Sequence, residues 1–288
     1  MNSRDYLLYA SIIFVWSTSW LPLKWQLGVV APEVSILWRF IIAASICMAI
    51  AVFRRAPLRF DIKTHGYFMA LGLFIFSTNF TLFYYAGQYV TSALLAVVFS
   101  TASMVNILLI SLVYRTPPQL GQLIASATGL CGIALIFWPE LEISQYALTA
   151  LVLCIIGTLS FCSGNLFSAH IQKQGISVLS ANSWGMIYGC GVLAVVALVR
   201  GHPFIIEPSA LYIGSLLWLS ILGSVVAFFS YLSLVGSIGA GRAGYATVVF
   251  PVFALLISTF VEAYQWTWPA AMGITLVIAG NILMVRAR

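Results

Sequence analysis

Two tryptophans, Trp16 and Trp20, stand one helical turn apart in the run FVWSTSWLPLKW, Phe14 to Trp25. Trp16 falls about ten residues into an apolar segment, roughly 15 Å from its start, which is midplane depth if the segment crosses a bilayer. Indole rings usually gather at the membrane–water interface. A pair this deep either packs as bulk against lipid or core, or forms an aromatic wall on which a ring-bearing ligand stacks. Asn79, Asn106 and Asn165 also fall inside apolar runs. An amide in hydrocarbon must find a partner, on a neighbouring helix or on a ligand. Asn79 is followed by Phe80, Phe83, Tyr84 and Tyr85, and an amide among rings suits an amino acid with a large side chain.

The charged groups offer a second chemistry. Lys24 and Arg39 approach the outer third of neighbouring segments. Holding a substrate carboxylate at an outer mouth is one use; snorkelling to the interface, or pairing with Glu33, is the more ordinary one. Glu262 reads as a helix-end group and His170, beside Lys173, as a solvated one. These two are the candidate coupling residues, because no acidic residue falls at the midplane, where proton-coupled carriers usually keep one. That favours gradient-driven movement over tight proton antiport. Pro251 removes a backbone donor near the middle of its segment and should bend it. Before it, GSIGAGRAG contains Gly239 and Gly241, flexible backbone suited to gating or to plain connection.

Other chemistries find no residues. There is no G-x-x-x-x-G-K-[ST] for a nucleotide-driven pump and no H-E-x-x-H for a metalloenzyme. The five cysteines lie in apolar runs without C-x-x-C or Cys/His spacing, which reads as packing. Neither cofactor nor metal is expected, and no enzymatic activity. No ring of like residues or polar-lined pore suggests a channel, although a channel-like or purely structural membrane protein remains the alternative of a different class.

The elements that must position these residues follow from composition. Hydrophobic residues make up 62% of the chain and charged ones 7%, against about 25% charged in a soluble domain. A chain of this size has no interior large enough for that surface, so its solvent is lipid. The net charge of +6 then bears on orientation in the bilayer, not on nucleic acid. Ten segments have spanning length: 5–23, 33–53, 65–86, 91–114, 118–138, 146–172, 178–199, 209–232, 241–262 and 267–286. The first reads as a retained helix, not a cleaved signal peptide. Alternate connections then place Arg4, Arg54, Arg55, Arg59, Lys63, Arg115, Lys173, Arg242, Arg286 and Arg288 on one side, and Lys24, Arg39 and Arg200 on the other. Both termini are therefore expected in the cytoplasm. Trp25, Trp38, Trp138, Trp266 and Trp268 fall near the opposite face, as an aromatic belt would.

The chain also echoes itself. VVFSTASMVNILLIS begins at Val97, and VVFPVFALLIS begins at Val248. FRRAPL closes the second segment and VRGHPF the seventh; paired glycines mark the fifth (Gly129, Gly132) and the tenth (Gly273, Gly280). Each match lies five segments from its partner. Five is odd, so the second copy would enter the membrane upside down, giving halves at 1–144 and 145–288. Inverted repeats are a signature of secondary transporters, with the substrate site between the halves at the midplane.

Three stretches carry a family resemblance. FVWSTSWLPLKW and LWRFIIAA (Leu37 to Ala44) resemble the first and second helices of EamA-type members of the drug/metabolite transporter superfamily, and PVFALLISTFVEAYQWT…MGITLVIAG (Pro251 to Gly280) resembles their most recognisable segment, with its Pro, its Glu near a helix end and its spaced glycines. Ser17 stands where those proteins often have Gly, and Ser100 where the second copy has Pro251, so a kink there should be asymmetric. The resemblance implies an all-α integral membrane protein with ten transmembrane helices in two inverted five-helix repeats, helices 5 and 10 peripheral. It implies a central cavity lined by helices 1, 3, 4, 6, 8 and 9. Within the superfamily the chain is most similar to the aromatic amino-acid exporters. On that basis Trp16, Trp20, Asn79, Phe83 and Phe99 form one wall of the cavity, and Asn165, Tyr245 and Pro251 the other. The expected partners are a small-molecule substrate (an aromatic or other hydrophobic amino acid) and the inner-membrane bilayer, with the protein a monomer or weak dimer. The alternative within the same fold is a proton-coupled multidrug or metabolite exporter.

Overall fold

The computed structural model describes residues 3–238 and 246–286. Every regular element among them is helical. Lipid offers backbone groups no partner, and a helix satisfies them internally. The helices are α1 (Ser3–Lys24), α2 (Pro32–Phe53), α3 (Ile62–Gly87), α4 (Ser92–Val113) and α5 (Leu120–Ile143), then α6 (Ala147–Lys173), α7 (Val178–Val199), α8 (Ala210–Ile238), α9 (Ala246–Val261) and α10 (Trp268–Arg286). Eight of them, α1 to α8, are long and apolar enough to cross a membrane; α9 and α10 supply shorter apolar stretches.

Local chemistry sets the boundaries. Pro32 opens α2, where its missing N–H costs nothing. Asp61, Ser177 and Ser209 cap α3, α7 and α8 by accepting backbone N–H bonds from Thr64, Ser180 and Tyr212. Hydrogen bonds from Thr64 also hold the Asp61 carboxyl below its usual pKa. α3 consequently begins at Ile62, a few residues before hydropathy alone suggests. α8 runs past its expected end at 232 to Ile238, and in that extension the Ser237 hydroxyl contacts the Leu234 carbonyl and Asp5.

The helix ends explain one of the sequence echoes. Arg55 and Gly201 both take the left-handed conformation, at φ 53° and 68°. The next amides, of Ala56 and His202, each bond a carbonyl five residues back, on Ala51 and Ala197. FRRAPL and VRGHPF are thus one kind of helix stop. Among the described residues, left-handed residues follow α1, α2 and α4 (Gly28, Arg55, Arg115) and also α6, α7 and α9 (Gly175, Gly201, Ala263).

Packing is equally paired. α1 lies on α8 and α9, while α6 lies on α3 and α4; α2 meets α7, α4 meets α9, and α5 meets α10. The last contact is tight because of glycine: a Cβ on Gly132 would stand 2.5 Å from the Gly273 carbonyl, and the reverse holds at Gly273. α3 and α8 each contain one turn of π-helix, Phe74–Asn79 and Ile221–Val226. In each, a serine hydroxyl (Ser77, Ser224) donates to the carbonyl five residues back, on Gly72 or Leu219.

Candidate functional site

Trp16 and Trp20 face the centre of the bundle and meet other rings there. Trp16 lies 5.8 Å from Phe99 and 5.0 Å from Tyr231, centroid to centroid. Trp20 lies 5.4 Å from both Phe83 and Phe99, and stacks at 6.3 Å on Phe250 of α9. Phe161 of α6 backs the cluster, 4.8 Å from Phe99. Most pairs are tilted or edge-on, the arrangement ring quadrupoles prefer.

The rings enclose a cavity of about 50 Å³. Trp16, Ser19, Trp20 and Leu23 of α1 line it, with Asn79, Phe80 and Phe83 of α3, Phe99 of α4, and Leu219, Gly223 and Phe228 of α8. Arg39 of α2 completes the lining. A water molecule occupies roughly 30 Å³, and sites for drug-sized ligands run to about 300 Å³ and above. The cavity is therefore too small for a ring-bearing ligand as it stands, and one fits only if the helices part.

Both π turns supply lining residues. Asn79 ends the turn in α3, is 3% exposed, and its Oδ1 has no hydrogen-bond partner among the described residues. Gly223 and Ser224 lie in the turn in α8. π turns are frequent at functional sites. The sequence signal for them was faint: a serine placed to reach back five residues, in FSTNF and LGSVV.

The structure distributes the residues singled out in the sequence as follows. Trp16, Trp20, Asn79, Phe83 and Phe99 line one cavity. Asn165 donates to the Asn106 amide oxygen at 3.3 Å, behind the lining. Pro251 is buried within α9, which stays helical through it. The break falls instead in α4, where the hydroxyls of Ser100 and Thr101 each bond a carbonyl three residues back at 2.7 Å. The asymmetry thus places the interruption in the copy without proline. Tyr245, Gly239 and Gly241 lie outside the described residues.

Arg39 does not snorkel. It is 3% exposed, with its guanidinium carbon 4.3 Å from the Phe80 ring centroid and its Nε donating to Ser224 Oγ at 2.8 Å. Glu33 pairs elsewhere, with Arg200 at 3.4 Å and His202 at 2.8 Å, and accepts from Tyr85 at 2.7 Å. Lys24 donates to the Gly87 and Val90 carbonyls at 2.6 and 2.9 Å, fastening α1 to the link between α3 and α4. Glu262, just past α9, accepts from the Ser92 amide at 3.1 Å, from its hydroxyl, and from Ser258 at 2.7 Å. It thereby caps α4 from α9. His170 is exposed near the end of α6, bonded to Gln174 at 3.0 Å. No group of three or more His, Cys, Asp or Glu suited to a metal occurs among the described residues.

A multi-pass helical membrane protein with a small aromatic cavity between its helices is the class these features define. The chain belongs to the EamA-like transporter family, whose model matches residues 4–138 and 148–286. It is a transporter of that bacterial kind. Among curated relatives, the uncharacterized transporter YoaV of Bacillus subtilis is 24% identical, covering 94% of this chain and 92% of that one. Protein PagO of Salmonella typhimurium is 22% identical, covering 98% and 93%. An uncharacterized transporter of Buchnera aphidicola is 21% identical, covering 93% and 86%. A solved crystal structure superposes with a TM-score of 0.72 at 14% identity over 98% of this chain and 96% of the other, which establishes a shared fold.

Proposed function

We propose that the protein exports small amphipathic metabolites, aromatic amino acids foremost, across the inner membrane by alternating access at the Trp16–Trp20 cavity. The observation that carries this reading is the cavity itself: five rings from α1, α3 and α4 (Trp16, Trp20, Phe80, Phe83, Phe99) around a space that also holds an amide and a cation. Rings stack on rings, and the polar groups orient a ligand that has a polar end. Alternating access is supported by pairing between the halves. The family model matches on either side of 144–145, and each inter-helix contact described above has a counterpart five helices on. The two π turns sit in the third helix of each half, and the left-handed stops follow the same three helices of each. These pairings support our reading of two five-helix repeats, residues 1–144 and 145–288, with ten spans in all. The surplus of Arg and Lys on one set of loops supports a reading with both termini in the cytoplasm. No oligomer is required, and the working unit is a monomer or weak dimer.

Transport is read as uncoupled, because the cavity lining contains no titratable acid. Proton coupling is the second reading, and one observation favours it: Glu262 ties α9 to the start of α4, two helices beside the cavity, so its protonation would loosen that tie. His170, hydrogen-bonded to Gln174, is the other titratable candidate. The experiment is counterflow in proteoliposomes holding purified protein, with labelled tryptophan outside, unlabelled tryptophan inside and no ion gradient. Threonine and a sugar serve as comparison cargoes. Saturable exchange stimulated by internal tryptophan is expected. Exchange that appears only under a pH gradient would replace this reading with the coupled one.

A further inference from the structure

Arg39 carries a full charge inside the bundle, and no carboxylate among the described residues neutralises it. Its Nε is used by Ser224 and its flat faces lie against Phe80 and Phe40, at 4.3 and 5.5 Å. A guanidinium has five N–H donors in a fork that fits a carboxylate edge. The buried Tyr84 hydroxyl is a further hydrogen-bond partner of the guanidinium, which still leaves Nη donors over, and α8 makes room for them: a Cβ on Gly223 would stand 3.3 Å from Arg39 Nη2. Burying such a charge without a counter-ion is expensive, and intramembrane ionisable groups usually mark a substrate path. In the same lining, the Asn79 amide oxygen is buried and has no hydrogen-bond donor among the described residues. One cation with donors to spare beyond Ser224 and Tyr84, and one acceptor without a partner among the described residues, therefore face a space walled by indole and phenyl rings.

That combination narrows the ligand. A cationic drug would meet the charge of Arg39. A simple carboxylate would satisfy Arg39 and leave Asn79 Oδ1 unpaired. A zwitterion satisfies both. We propose that Arg39 and Asn79 form a head-group clamp for a free α-amino acid: Arg39 takes the carboxylate, Asn79 Oδ1 takes the ammonium, and the side chain lies along Trp16 and Trp20. This rests on the transport reading above and adds to it the recognition of the backbone end of the substrate.

The test is competition in the counterflow assay, with tryptamine (no carboxylate) and indole-3-propionate (no amine) set against unlabelled tryptophan. Each analogue keeps the ring and loses one polar contact. The half-inhibitory concentration of each is expected to exceed that of tryptophan by about 10- to 100-fold. In Arg39→Gln the gap between tryptophan and tryptamine should fall to about 3-fold or less, while Arg39→Lys keeps part of it. A merely structural Arg39 would lower the amount of active protein in both variants and leave that ratio untouched. Tryptamine competing as well as tryptophan in the unmutated protein would overturn the clamp, and this readout needs no variant to fold. Labelled leucine and threonine run in parallel separate the two readings. Arg39-dependent exchange of these without tryptophan would sink the aromatic preference and keep the clamp. Exchange of no α-amino acid would sink both.

Discussion

Phe99→Ala probes whether the ring cluster is a packed unit. Phe99 is 7% exposed and touches five other rings, Trp16, Trp20, Phe83, Phe161 and Phe250, at centroid distances from 4.8 to 6.2 Å. Aromatic pairs contribute about 0.5–1.5 kcal/mol each beyond their burial. Truncating a core Phe to Ala costs about 3–5 kcal/mol. Lipid is itself apolar, so little of this comes from water transfer, and packing loss sets the scale at about 3 kcal/mol. At 2–4 °C per kcal/mol for a chain of this size, the melting temperature should fall by roughly 6–12 °C. Cys154 and Cys162 are buried free thiols, so a thiol-reactive dye reports unfolding in detergent. A control separates packing from binding. Phe161 backs Phe99 at 4.8 Å without lining the cavity, so Phe161→Ala should cost similar stability and leave the half-saturating tryptophan concentration alone. Phe99→Ala should change both. A melting shift under about 2 °C for Phe99→Ala would refute the packed-cluster argument.

Gly132→Ala puts a Cβ 2.5 Å from the Gly273 carbonyl, so α5 and α10 must separate; a loss of about 1–3 kcal/mol is expected by the same dye assay. Gly191→Ala is the counter-case, since nothing lies within 4 Å of its Cβ, and it should gain up to about 1 kcal/mol. Glu262→Gln removes the charge that caps α4 through Ser92, which should cost about 1 kcal/mol. An imposed pH gradient should add nothing to tryptophan exchange by the unmutated protein; acceleration that Glu262→Gln abolishes would make Glu262 the proton site.

Much of the architecture could be read from sequence because lipid leaves few options. Each apolar run had to become a helix, and the breaks between runs were real stops, as the shared left-handed caps at Arg55 and Gly201 show. Trp16, Trp20, Asn79, Phe83 and Phe99 could be grouped because residue spacing sets depth and the family resemblance supplied the helices that line the cavity. The π turns could not, since a single extra residue per turn leaves the apolar pattern nearly unchanged. Nor could the position of Arg39. Hydropathy treats a cation as belonging at the interface, but that expectation concerns a side chain facing lipid. Arg39 faces Ser224, Gly223 and Phe80, partners supplied by α3 and α8 from elsewhere in the chain. The Asn106–Asn165 bond is of the same sort: each amide was visible as needing a partner, but not as the partner of the other.

The central claim is that the Trp16–Trp20 cavity is where substrate sits. The most direct measurement is the half-saturating tryptophan concentration for counterflow in Trp16→Ala and in Asn79→Ala. A rise of about 10-fold in each, with the protein still folded by the dye assay, is the expected result. Saturation unchanged in both would mean that substrate binds elsewhere, and that the rings are packing alone.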